Sequence, residues 1–333
     1  MLKIFFVLRL FIILSFVNGV CAKRKADNGY YNFSETCMGT KFSLVIDGDD
    51  LQLSKRVATE AFKEASRLDK ILSDYISESE LSILSQNSGS GDFKQLSNEL
   101  FEVLKNAQIL AKETNGNFDV TIGPLSRLWR IARFKETLPE HNKLVNAQER
   151  VGYTNLILDH IKQKAKLLKK DMTLDLGGIA KGYAADRMLE ICKLHNLPRV
   201  LIDAGGDILL GNAPRGKKGW LVEIGGRKHP DFPILTLSNT AIATSGDIEQ
   251  SVTINQKTYS HLINPTTGLG LTSLAQITVI APTAMNADSL ASACLVLGLE
   301  KSKTLLHSKK QVTAYYLKQA EGNLILSKIN EGN

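Results

Sequence analysis

Cysteine is scarce, with four in 333 residues, and none stands in a Cys-x-x-Cys pair. That excludes a disulfide-dense scaffold and a cysteine-built metal centre, so Cys37, Cys192 and Cys294 read as small buried hydrophobes. Beyond residue 22 no apolar run approaches the roughly 20 residues of a membrane-spanning helix. No unit of about 20–50 residues recurs, which excludes solenoids and propellers. A large charge of one sign is missing too. The formal excess is +7, or +5 without Lys3 and Arg9. Basic residues gather at 23–25 and 162–170, but without interleaved aromatics or a nucleic-acid motif they read as a solvated tail and a solvated surface. No nucleic-acid partner is expected.

What is present is ordinary globular composition, 43% hydrophobic and 23% charged, enough for one large or two modest domains. Residues 1–22 stand apart: Lys3, an apolar run over 4–17 broken only by Arg9 and Ser15, and Val20-Cys21-Ala22 as a small-residue cleavage site. This reads as a signal peptide, which makes the protein exported. Cleavage before Cys21, with a lipid attached to it, is a second reading, although Val20 is larger than the residue usual there.

Residues 23–35 read as a polar tether, and 36–330 as the domain. Residues 41–46 alternate like a strand. Val57, Ala61, Ala65, Leu68 and Leu72 mark one face of a helix. A second helix carries Leu100, Leu104, Ala107 and Ala111 and stops at Gly116. Further strands are expected at 173–176, 200–204, 220–224, 234–237 and 276–280, and helices at 179–195 and 286–297. This unequal mix points to an α+β fold, mixed sheets with flanking helices, rather than a doubly wound parallel sheet.

Two features carry chemistry. Thr173-Leu-Asp-Leu-Gly-Gly-Ile-Ala-Lys-Gly-Tyr-Ala-Ala-Asp186 joins a short apolar stretch to a helix through a turn with Gly177, Gly178 and Gly182. Glycines admit a close ligand and positive φ, and a helix start offers N–H groups and a positive dipole end, which suits a phosphate or a metal. A plain packing device would look the same. Asp288 and Ser292 lie four apart, on one helix face. A carboxylate and a hydroxyl there suit one hard cation such as Mg²⁺, sharing its sphere with substrate phosphates. The competing reading is that Asp288 complements its own helix dipole.

The glycine stretch has company: Cys37-Met-Gly-Thr40, Gly116-Asn-Phe-Asp-Val-Thr-Ile-Gly-Pro124 leading to Leu128-Trp129, Asp203-Ala-Gly-Gly-Asp207, Ala243-Thr-Ser-Gly-Asp247, Tyr259-Ser-His-Leu-Ile-Asn-Pro-Thr-Thr-Gly268 and Ala281-Pro-Thr-Ala-Met-Asn-Ala-Asp-Ser-Leu-Ala-Ser292. In this order, from about Met38 to about Gly298, the set resembles the FAD:protein FMN transferases, the ApbE family of flavin transferases.

The resemblance implies an α+β fold with a flavin held between two lobes, and an Mg²⁺-dependent transferase. Such an enzyme cleaves FAD, attaches FMN by a phosphoester bond to a Thr or Ser of an acceptor flavoprotein, and releases AMP. The backbone of Gly178 is the implied third metal ligand beside Asp288 and Ser292, where Ser replaces the usual Thr. Tyr75 matches a tyrosine stacked on the isoalloxazine, and Met38 a residue lining the same site. Asn117, Phe118 and Asp119 match a turn that contacts FAD, and Asp175 and Lys181 flank the glycine turn. Without the resemblance, Tyr75 would read as a half-buried core residue, Asp175 as a polar strand end and Lys181 as a solvated helix residue.

His261 borders the diphosphate by the same resemblance, and an imidazole there suits a general base toward the incoming hydroxyl. Asp207 and Asp247 are weaker candidates for orienting groups. Asn264 stands for a usual Asp and Thr266 for a frequent Arg, which bears on substrate orientation. Implied acceptors are flavin-carrying subunits of membrane redox complexes, met in the periplasm with peripheral contact to the membrane. Competing readings are an exported FAD diphosphatase of the same site, releasing FMN and AMP, and a non-catalytic FAD-binding protein.

Overall fold

Residues 29–224, 231–246, 251–320 and 323–330 are described by the computed structural model. The expected signal at 1–22 with Cys21, the basic residues 23–25 and Asp247 lie outside the described residues. The chain opens on a hairpin of β1 (Tyr30–Cys37) and β2 (Thr40–Asp47), followed by the long helix α1 (Leu51–Leu72). Next come α2 (Glu80–Gln86), β3 (Lys94–Gln95) and α3 (Asn98–Glu113). A 3₁₀ turn at Val120–Ile122 leads into α4 (Gly123–Lys135), α5 (His141–Gln148) and the hairpin β4 (Leu156–Asp159) and β5 (Lys164–Leu167). Helix α6 (Ala180–Leu194) precedes β6 (Val200–Ala204), β7 (Asp207–Leu210), β8 (Trp220–Glu223), β9 (Ile234–Leu237) and β10 (Thr240–Gly246). The chain continues through β11 (Ser251–Ile254), β12 (Lys257–Ser260), β13 (Ala275–Ala281), α7 (Ala284–Leu297), α8 (Leu299–His307), β14 (Thr313–Ala320) and β15 (Asn323–Ile329).

The eight-stranded main sheet runs β1-β2-β6-β7-β10-β13-β14-β15. The α+β expectation holds, and the sheets are of one kind: every strand pairing among the described residues is antiparallel. Short connections such as the β6–β7 turn allow this, since parallel neighbours need long crossovers. Helices α1, α6 and α7 bury their apolar residues on the sheet, sharing a core with Leu44, Ile46, Ile202 and Ile277. A smaller cluster covers another part of the sheet under β8 and β9, around Trp220, Val222 and Leu210. A third unites α4, α5, β11 and β12 through Leu125, Trp129, Leu144 and Tyr259.

Local signals explain the elements. Asp50 caps α1 by accepting from the backbone N–H groups of Gln52 and Leu53, and Val57, Ala61, Ala65, Leu68 and Leu72 all face inward. Helix α3 stops where Gly116 takes φ +77°, with its N–H on the Ala111 carbonyl. The three cysteines are buried and free, as their scarcity implied. Lys162, Lys169 and Lys170 are exposed, a solvated surface on and beside the β4–β5 hairpin. Among the described residues no helix is long and apolar enough to cross a membrane.

The structure corrects several expectations. Residues 30–35, assigned to the tether, belong to the edge strand β1, whose Tyr30 pairs with Asp47 and Cys37 with Thr40. Residues 173–176 form no ladder, because Leu174 N–H donates to Ser85 Oγ and Asp175 N–H to the Val120 carbonyl. Helices α2, α4, α5 and α8 were not anticipated. The Gly123-Pro124 step starts α4, with the proline at a position where a missing N–H is harmless.

Candidate active site

A cavity of about 370 Å³ opens where α6, α7 and the strand ends of the main sheet face α4 and the loop after β12. That lies within the range of roughly 300–1,000 Å³ usual for small-molecule sites. Its lining includes Tyr75, Asn117, Phe118, Asp119, Asp175, Gly178, Lys181, His261, Asp288 and Ser292. Ten of the expected site residues, scattered over more than 200 positions, therefore share one wall. Met38 is not among the lining residues. It sits in the β1–β2 turn with φ +50°, packed against the principal core.

The glycine turn works by close approach. Neither Gly177 nor Gly178 has a positive φ. A Cβ built on Gly178 would stand 2.9 Å from Ser292 Oγ, so only glycine lets this backbone reach α7. Gly182, expected in the turn, lies inside α6 and lets the two helices cross. Asp175 shapes the turn by accepting from Gly177 N–H at 2.8 Å.

On α7, Asp288 and Ser292 do share a face, and both are almost fully buried. Asp288 does not serve its own helix start. There, Thr283 caps Asn286, and Asp186 of α6 accepts from Ala284 and Met285 N–H at 2.8 and 2.9 Å. Asp288 Oδ2 instead accepts from Gly182 N–H of α6 at 3.2 Å and lies 3.5 Å from Lys181 Nζ. Lys181 has a closer carboxylate in Asp207, at 2.9 Å. Burial disfavours the charge on Lys181, but the two acids around its ammonium outweigh that and hold its pKa above the ordinary lysine range. Burial pushes the Asp288 carboxyl upward, and Lys181 opposes that. Asp207, expected only as a weak orienting group, thus anchors Lys181 at the site.

No cluster of three or more His, Cys, Asp or Glu occurs among the described residues. The donors at Asp288 are oxygens: its carboxylate, Ser292 Oγ, Ser245 Oγ at 3.5 Å from Ser292 Oγ, and the Gly178 backbone packed against Ser292. That set fits a hard cation such as Mg²⁺ that completes its sphere with substrate oxygen and water.

The 117–119 turn is held by its own side chains. Asn117 Nδ2 donates to the Thr114 carbonyl, and Asp119 Oδ1 accepts from Thr121 N–H and Oγ1. Burial raises the Asp119 pKa. His261 follows β12, is half-buried and faces the cavity. In the next turn Asn264 Oδ1 accepts from Thr266 and Thr267 N–H, the hydrogen bonds an aspartate would also make. The exchange of Asp for Asn therefore leaves the turn intact. Trp129 braces it by donating from Nε1 to the Gly268 carbonyl at 2.7 Å.

Sequence reasoning did not single out Arg130, which lines the cavity and bridges Asp74 and Asp175. Nor did it assign a role to Thr244 and Ser245, although their motif was noted. The motif marked the segment, but only the strand end shows which side chains face inward.

Relatives place this geometry. The chain is 32% identical over 298 residues to an FAD:protein FMN transferase of Haemophilus influenzae, covering 86% of this chain and 85% of that one. It is 29% identical over 279 residues to one of Treponema pallidum, covering 78% and 76%. The solved flavin transferase ApbE from Vibrio cholerae superposes with a TM-score of 0.79 at 26% identity, covering 90% of this chain and 97% of that one. The ApbE family model matches residues 38–317, and with that span carrying the whole lining of the cavity and the inner strands of the main sheet, the chain belongs to the ApbE family.

Proposed function

We propose that this chain is an Mg²⁺-dependent FAD:protein FMN transferase. The observation that carries the reading is the meeting, in one cavity, of an exposed aromatic at Tyr75, the ammonium of Lys181, the imidazole of His261 and the oxygen donors Asp288 and Ser292. Tyr75 offers a stacking face to the isoalloxazine. Lys181, held protonated by Asp207, faces the diphosphate. Asp288, Ser292 and the Gly178 backbone would hold Mg²⁺, which when bound supplies charge neutralisation at the diphosphate.

The acceptor's Ser or Thr oxygen forms a bond to the flavin-side phosphorus, and the bridge to AMP breaks. His261 takes the hydroxyl proton, and AMP leaves with the electron pair of the broken bond. Asp119 and Asn117 shape the wall rather than react, since their polar atoms already serve the turn.

The acceptor is an exported flavoprotein subunit of a membrane redox complex. The N-terminal segment supports this by reading as an export signal, with lipid on Cys21 as a means of holding the enzyme at the periplasmic face of the inner membrane. Mass spectrometry of such subunits incubated with the mature chain, FAD and Mg²⁺ tests the reading. An FMN-sized mass gain on one Thr or Ser, with AMP released in equal amount, is expected. FMN and AMP without protein modification would instead mark a diphosphatase.

A further inference from the structure

Arg130 of α4 is committed on three sides. Its Nη1 lies 2.6 Å from Asp74 Oδ2, its Nη2 lies 3.0 Å from Asp175 Oδ2, and its guanidinium carbon stands 4.0 Å from the centroid of the Tyr75 ring. Asp74 directly precedes Tyr75 in the loop after α1, while Asp175 opens the glycine turn. One planar cation thus ties two loops by its edge and lays its face on the tyrosine. Tyr75 is 75% exposed, so its other face remains open toward the cavity it lines.

An exposed tyrosine on a loop samples several rotamers, and a ligand that stacks on it must first freeze them. A guanidinium fixed by two carboxylates removes that cost before the ligand arrives. Lysine cannot substitute, because its ammonium has neither a flat face nor a fork. We propose that Arg130 is a positioning residue that pre-sets Tyr75 as the stacking platform for the isoalloxazine, in a three-layer stack of guanidinium, phenol and flavin ring. The inference rests on the flavin-transferase reading and adds a specificity determinant to it, for the ring rather than for the nucleotide.

The test measures riboflavin binding by flavin fluorescence and ADP binding by calorimetry. The proteins are wild type, Arg130→Lys, Arg130→Ala, Tyr75→Ala and the Arg130→Ala/Tyr75→Ala double variant. Expected are a roughly 3- to 30-fold weaker riboflavin affinity in both Arg130 variants, less quenching of the bound flavin, and nearly unchanged ADP affinity. Removing Arg130 should cost almost nothing further once Tyr75 is gone. A full Arg130 effect that persists without Tyr75, or an Arg130→Lys variant that binds riboflavin like wild type, overturns the proposal; the lysine variant keeps the test usable if the alanine variant misfolds. Failure of the wild-type protein to bind FAD at all would overturn the flavin reading itself, and this inference with it.

Discussion

Gly182 of α6 lies so close to Ala284 of α7 that a Cβ on the glycine would stand 2.2 Å from the Ala284 carbonyl oxygen. At the same point Gly182 N–H donates to Asp288. The crossing therefore seats the helix that carries Asp288 and Ser292. Gly182→Ala should force the helices apart and cost about 1–3 kcal/mol, the usual price of overpacking. Denaturant unfolding checks this, and wild-type stability in the variant would mean that the helices are free to separate.

Asp186 controls the start of the same helix through its two backbone N–H bonds. Burial pushes its carboxyl up to about 6, above the roughly 3.9 of an unfolded aspartate. The folded state then binds the proton more tightly than the unfolded one. The resulting stability is fully present below about pH 4 and lost as pH rises through about 6. The stability advantage of wild type over Asp186→Ala should accordingly be larger at pH 4.5 than at pH 7.5 in thermal melts. The reverse order would show that the helix N–H groups outweigh burial.

If Asp288 anchors the cation, Asp288→Ala should abolish FMN transfer while the protein stays folded and keeps much of its FAD affinity. Excess chelator should do the same to wild type. Transfer at an undiminished rate in either experiment removes the metal from the reading.

His261→Ala separates chemistry from binding. Transfer should slow by about 10²- to 10⁴-fold with FAD affinity nearly intact, measured by single-turnover kinetics beside equilibrium titration. Equal losses of rate and affinity would reduce His261 to a contact.

Much of this site is legible in the sequence, for physical reasons. The four-residue spacing of Asp288 and Ser292 fixes a shared helix face, and the structure places both on the cavity wall. The apolar rhythm of 57–72 dictates which side of α1 is buried. All of the ordered motifs but Cys37–Thr40 are short stretches that put at least one residue on the cavity wall.

Other features depend on partners far along the chain. Arg130 reaches Asp74 across 56 positions and Asp175 across 45, and no local pattern marks a guanidinium that will find two carboxylates. Gly182 looks like part of a phosphate-binding turn until α7 is packed against it. Residues 30–35 read as polar linker because none of their side chains in β1 is fully buried, so neither face of the strand imposes an apolar alternation. The sequence by itself determined the local periods, the caps and the donor chemistry, which act within a few residues. The tertiary structure decided which donors meet, since antiparallel pairing and helix crossing bring together groups whose separation along the chain carries no information about their distance in space.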